Sequence, residues 1–130
     1  MKKSYPGINI QWPISELILS GQKTVETRIY PIPRKYLHKQ MLLIETPGKN
    51  RGFKARARAI IVFTRCFKYS SKNAFHRDHD RHLVTPHTLW DWRNKTKWGW
   101  EVEVKRTLEV PIVINQRRGI LYTQEVVLGN

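Results

Sequence analysis

Ile8-Asn9-Ile10-Gln11-Trp12 alternates apolar and polar positions, the period-two pattern of a strand with one buried face. Pro13 follows, suited to a helix start because the first helical positions need no intrahelical N–H partner. Ile14, Leu17 and Ile18 recur on one helical face, and Gly21 offers the left-handed conformation that stops a helix. From Lys23 to Tyr30 the β-branched Thr24, Val25, Thr27 and Ile29 predict a strand leaving a sharp corner. Pro31-Ile32-Pro33 closes it, since proline cannot donate to a ladder.

Met41 to Thr46 is a short apolar run ended by Pro47-Gly48, which predicts a buried strand and a loop. Residues 54–63 alternate Lys54, Arg56 and Arg58 with Ala55, Ala57 and Ala59 before Ile60-Ile61-Val62-Phe63. A helix competes there, but the β-branched continuation favours a strand with one cationic face. A polar, His-rich stretch over 71–92 is predicted to be partly helical, with Trp90 and Trp92 at its end. Glu101-Val102-Glu103-Val104 alternates again, and 108–114 reads as an edge strand interrupted by Pro111. Ile120 to Tyr122 and Val126 to Leu128 supply a last strand. Strands dominate over two or three short helices, which predicts an α+β chain built as a small mixed β-barrel or rolled sheet.

The chain has 130 residues, 40% hydrophobic and 26% charged, the composition of one folded domain spanning 1–130. Such a length buries about two thirds of the unfolded surface in one core without disulfide staples. Cys66 is the only cysteine, which excludes an intramolecular disulfide and a Cys-based zinc site. It lies in a predicted strand and reads as core. No apolar run has the length of a membrane span and no signal peptide pattern opens the chain, so a cytoplasmic protein is expected. Lys and Arg number 24 against 10 acids, a net charge of +14, which points to a polyanion partner.

Between Thr46 and Arg77 there is no acidic residue, while Lys49, Arg51, Lys54, Arg56, Arg58, Arg65, Lys68, Lys72 and Arg77 are present. Such a run is ordinarily a solvated face. Here like charges line one strand face and repel unless something neutralises them, so phosphates are expected along Lys54, Arg56, Arg58, Arg65 and Lys68, with Arg117 and Arg118 added from the late turn. About six to eight phosphate contacts would give a log–log salt slope of roughly −4 to −7. Trp90, Trp92, Trp98 and Trp100 are interleaved with Arg93, Lys95 and Lys97. Most tryptophans fill cores, but a set beside cations predicts that one, Trp98 or Trp100, stacks an unpaired base.

Gly21-Gln22-Lys23-Thr24-Val25-Glu26-Thr27-Arg28 gathers a turn, a lysine, hydroxyls, a carboxylate and a guanidinium. In an extended chain Thr24, Glu26 and Arg28 share a side, a row able to read a polar ligand or simply a surface strand with a salt bridge. Gly21 to Thr24 is no Walker A loop, because the motif's first glycine falls on Glu16 and helix precedes strand.

Leu17-Ile18-Leu19-Ser20-Gly21-Gln22-Lys23-Thr24-Val25-Glu26-Thr27-Arg28, then Gly99-Trp100-Glu101-Val102, Leu108-Glu109-Val110-Pro111 and the Arg118-Gly119 turn, together resemble the ASCH domain, a PUA-like family. The first motif is the specific one, and the set spans nearly the whole chain. The resemblance implies a PUA-like mixed β-barrel flanked by short helices, a cleft at the Lys-Thr-x-Glu-x-Arg segment and a role in binding RNA. Some relatives are hydrolases, either acetylcytidine amidohydrolases or ribonucleases. Lys23 and Arg28 match the amidohydrolase lysine and arginine. That motif's threonine falls on Glu26, so Thr24 or Thr27 would have to substitute, and its distant glutamate has no counterpart. Were the chain an enzyme, Lys23, Thr24 and Glu26 would carry the chemistry, the lysine as base if burial depressed its pKa.

In a helix His76 and Asp80 share a face, as do Asp78 and His82. A divalent metal or an acid–base pair could use them, but interleaved Arg77 and Arg81 repel a cation and the spacing fits no standard zinc motif. A solvated helix is the plainer reading, and neither metal nor cofactor is expected. Protonation below about pH 6 would make this patch more cationic. Three functions follow: an RNA or single-stranded nucleic-acid binder with a pocket at Lys23, Thr24, Glu26, Arg28 and Trp98 or Trp100; a hydrolase in the same cleft; or a module for an acidic protein partner.

Overall fold

The computed structural model describes residues 3–48, 52–114 and 122–128, with the backbone alone for 122–127. The elements run β1 (Lys3–Gln11), α1 (Ile14–Leu19), β2 (Val25–Arg28), β3 (Gln40–Thr46), β4 (Arg56–Lys68), α2 (Lys72–Arg77), α3 (His79–His82), β5 (Trp98–Val113) and β6 (Tyr122–Leu128). All strands join one sheet in the order β2-β5-β4-β3-β1-β6. β1 and β3 are parallel and the other neighbours antiparallel. The sheet curls into a half-barrel with short helices around it. Register shifts along β4 and β5, at Ala57/Ala59, Ile60/Ile61 and Phe63/Arg65, supply the bends, because each extra residue kinks its strand and raises the twist.

Alternation sorts the apolar residues onto two faces. Ile8, Ile10, Met41, Leu43, Ile61, Phe63 and Trp100 meet Ile18 of α1 in the main core. Leu42, Ile44, Ala57, Ile60 and Leu128 form a second cluster. A third, smaller one holds Tyr69, Phe75 and Val84 beneath the α2–α3 segment. No helix among the described residues is long and apolar enough to cross a membrane.

The first strand starts earlier than expected, at Lys3, because Tyr5, Pro6 and Gly7 are also buried. The two segments expected at 101–104 and 108–114 are one strand, bulged rather than broken. Pro111 is tolerated because β2 covers only Trp98 to Glu101, leaving the later outer edge of β5 without a partner strand among the described residues. Lys49, Arg51, Arg117, Arg118 and Gly119 lie outside the described residues.

Candidate functional site

After α1 the chain hooks. Gly21 takes φ +82° and bonds Ile18 O at 3.0 Å, while Lys23 N–H reaches back to Leu17 O at 2.9 Å. The hook drives the Lys23 side chain inward to 5% exposure. Its ammonium donates to the His82 carbonyl and stands 3.7 Å from Glu26 Oε1. Glu26 Oε2 accepts Arg28 Nε at 3.1 Å and Nη2 at 2.9 Å, and Nη2 also donates to Asn9 O at 3.2 Å. The Arg28 guanidinium lies 5.5 Å from the centre of the Trp100 ring. Burial pushes the Lys23 pKa down, with Glu26 opposing and Arg28 reinforcing. Burial also works against the Arg28 charge, but Glu26 and Tyr30 outweigh it and raise its pKa. Lys23, Glu26 and Arg28 are thus one buried network. Thr24 stands apart: it is exposed, precedes β2 and contributes its backbone, N–H to Arg81 O and C=O from Val102 N–H, both 3.0 Å.

Arg28 also lines a cleft of about 520 Å³ between β2 and the loop before β5. Tyr30, Trp90 and Trp92 provide its aromatic surface, and Arg93, Lys95 and Lys97 its charge. Trp90 is 49% exposed, so a ring face is open to a ligand. The loop is built to hold these rings. Arg93 and Asn94 take φ +45° and +60° while Lys95 N–H bonds Trp92 O at 3.0 Å, the geometry of a tight turn with two left-handed central residues. Asp91 clamps the loop from within: Oδ2 accepts His87 N–H, and Oδ1 accepts Trp92 N–H and meets His76 Nε2, each at 2.8 Å. Those three hydrogen bonds hold the Asp91 carboxyl far below the usual carboxylate range.

The expected stacking residues lie elsewhere. Trp100 is fully buried, edge-on to Tyr30 at 5.8 Å and Phe63 at 5.4 Å, with Nε1 donating to Tyr30 O at 3.2 Å. No base can reach it. Trp98 is half-buried and packs on the same core, so neither of the two lines the cleft.

The cationic strand face is neutralised from inside. Buried Glu45 accepts Arg56 Nε at 2.8 Å and Arg58 Nη1 at 2.9 and 3.0 Å, plus Ser15 Oγ at 2.6 Å. Arg58 also meets Glu16 at 2.7 Å, and Arg56 stacks on Phe53 at 4.3 Å. Carboxylates from α1 and β3 therefore do what phosphates were expected to do at Arg56 and Arg58, and the repulsion argument falls away. Lys54 is exposed, but it lines no part of the Arg28 cleft. Arg65 pairs with Glu101 at 2.9 Å and, with Arg81, flanks the Phe67 ring at 5.0 and 5.3 Å. Lys68 borders a separate shallow dent with Arg77 and Arg81. The cleft beside the Lys23–Arg28 corner is thus walled by residues 89–97 and not by the β4 cations.

The histidine segment does not form one helix, since Asp78 breaks it between α2 and α3. The expected face-sharing pairs give way to others: His76 to Asp91, and Asp78 to Arg81 and Tyr69. His82 is fully buried, stacked on Phe75 at 4.2 Å. Its Nε2 donates to Phe75 O at 2.7 Å and its Nδ1 accepts Val84 N–H at 2.9 Å. Desolvation lowers its pKa against the pull of that carbonyl. No cluster of three potential His, Cys, Asp or Glu ligands occurs among the described residues. Cys66 packs on the core and accepts Ile32 N–H at 3.4 Å.

Trp90, Trp92 and Lys97 line the cleft although sequence reasoning put the stacking ring further along, in β5. The signal was available in the same Trp and Lys/Arg interleaving; what decides among the rings is burial, which the spacing does not show.

No protein-family model matches the chain, and no curated protein matches it. Among solved structures it is similar to a serine-to-alanine mutant of ZmASCH from Zymomonas mobilis, 14% identical, with TM-score 0.69 over 92% of this chain and 87% of that one. A tyrosine-to-phenylalanine mutant of the same protein aligns over 94% of this chain and 90% of that one, again at 14% identity and TM-score 0.69. At such identity the likeness is one of fold: the chain adopts the PUA-like ASCH architecture.

Proposed function

We propose that this ASCH-fold chain binds single-stranded nucleic acid, RNA before DNA, through the cleft between β2 and the 89–97 loop. The observation that carries the reading is a half-exposed Trp90 held in a concave site with Arg28, Arg93, Lys95 and Lys97. A base stacked on an accessible indole gains roughly 1–3 kcal/mol whatever its identity, and surrounding cations draw in the backbone. The preference for RNA rests on the ASCH resemblance of the Lys23–Arg28 segment. Titrating single-stranded RNA, duplex RNA and single-stranded DNA across a salt series, with tryptophan fluorescence as readout, tests it. Single-stranded RNA should bind best and quench Trp90; indifference to every polyanion at low salt would refute the reading and leave an acidic protein partner.

One observation favours a hydrolase in the same region. Lys23 is buried, its pKa lowered chiefly by desolvation, and Glu26 lies within ion-pair distance of its ammonium. Against it, Lys23 is occupied by the His82 carbonyl and Thr24 takes no part in the network. Incubating RNA and acylated nucleosides with the chain and with Lys23→Ala decides: turnover lost in a folded variant establishes catalysis, and absence of products from the parent chain removes it.

A further inference from the structure

Resting on that reading of the cleft, we propose that Lys97 is its anion anchor, so that the bound unit is a nucleotide whose base lies on Trp90 while its phosphate meets the Lys97 ammonium. Lys97 lines the cleft yet is only 7% exposed, and among the described residues its ammonium forms no hydrogen bond or ion pair. Lys95 and Arg93 beside it are exposed and attract any polyanion; a sheltered ammonium selects a group that can enter.

The carboxylate that attracts it forms no ion pair with it. Asp91 attracts Lys97 through space, but its oxygens are committed to His76, His87 N–H and Trp92 N–H. Arg28 is likewise committed to Glu26 and Asn9 O. Tyr30 lines the same cleft, and its buried hydroxyl faces the Arg28 guanidinium, which only donates, so the hydroxyl proton has no acceptor. Holding an ammonium where little water reaches it, beside a hydroxyl proton with no acceptor, costs free energy that an entering anion can offset. The keto edge of a base offers acceptors but no charge, whereas a phosphate offers both. Burial pushes the Lys97 pKa down, and a phosphate seated there would push it back up.

Titrating the full chain with inorganic phosphate, uridine and uridine monophosphate, following tryptophan fluorescence, reads the anchor directly. The monophosphate should bind roughly tenfold to a hundredfold tighter than uridine, the range of a charge-assisted hydrogen bond. Lys97→Met should erase that margin and leave uridine affinity and the melting temperature no lower, since it removes a poorly satisfied charge and keeps the chain length. Lys97→Arg should retain part of the margin. Equal affinity for uridine and its monophosphate, a margin that survives Lys97→Met, or a Lys97→Met protein that melts lower and loses uridine as well would each overturn the anchor. If that variant binds single-stranded RNA with an unchanged salt slope, the anchor fails while the cleft reading stands; if the parent chain binds no RNA at all, both fail.

Discussion

Trp100 and Trp90 lie close in the sequence, but one is sealed between Tyr30 and Phe63 and the other keeps half its surface in water. Trp100→Ala should therefore lower stability by about 3–5 kcal/mol, read by urea unfolding. Trp90→Ala should leave the unfolding curve nearly unchanged and weaken single-stranded RNA by roughly 1–3 kcal/mol, read by titration; equal effects of the two on both readouts would contradict the assignment. His82 is informative in another way. With Nε2 donating and Nδ1 accepting, the ring is neutral in the folded chain, and its pKa is lowered by desolvation. The unfolded chain, at about pH 6.5, then takes up the proton first. The stability present above that pH is lost as pH falls toward the folded value. Melting temperatures between pH 7.5 and 5.5 should drop more steeply for the parent chain than for His82→Gln. The spacing His76-x-x-His79-x-x-His82 hid this, because a broken helix put each histidine in a different environment.

At the level of elements, the most consequential joint is that of α1, β3 and β4 at Glu45. Its burial favours the protonated form, but Ser15, Arg56 and Arg58 outweigh it and hold the carboxyl below its usual range. Glu45→Ala strands two guanidiniums and should destabilise the fold by about 3 kcal/mol, the low end for a broken buried pair because both arginines retain some water; thermal unfolding checks it. The cationic alternation of β4 was legible in the sequence and so was the strand. The counter-charges were not, since Glu45 reaches Arg56 and Arg58 from the neighbouring strand β3 and Glu16 reaches Arg58 from α1, contacts that only the tertiary fold makes. The Trp92–Lys95 turn gives a further expectation. A left-handed Arg93 is strained by its Cβ, so Arg93→Gly should not lower the melting temperature, while removing a cleft cation should weaken RNA binding. A marked loss of melting temperature would show that the Arg93 side chain holds the turn.

For the whole molecule, net charge overstates the binding surface. A charge of +14 suggested many phosphate contacts, but Arg56, Arg58, Arg65 and Arg81 are already paired. With three or four cations left to meet phosphates at the cleft, the salt slope for a short single strand should be roughly −2 to −3, and a slope near −6 would restore β4 to the interface. The fold itself was largely readable. The strand of the first alternation, the amphipathic helix, the Gly21 stop, the 41–46 strand and, displaced to 56–68, the strand expected at 54–63 all occur, because each depends on local periodicity and a turn residue. The site was half readable: Glu26 and Arg28 pair as their spacing suggests, but Lys23 takes the place expected for Thr24 because the Gly21 hook turns it inward, and the opposing wall comes from a segment whose shape is set by left-handed turns and one carboxylate clamp.

That wall belongs to the connection between the two longest strands, residues 69–97, which folds around its own small cluster of Tyr69, Phe75 and Val84. The insert is in effect a cartridge seated on a frame. It is latched to that frame at one corner, where the His82 carbonyl takes the Lys23 ammonium and the Arg81 carbonyl takes the Thr24 N–H, so a change inside the small cluster is transmitted to the Lys23 corner as well as to the cleft wall.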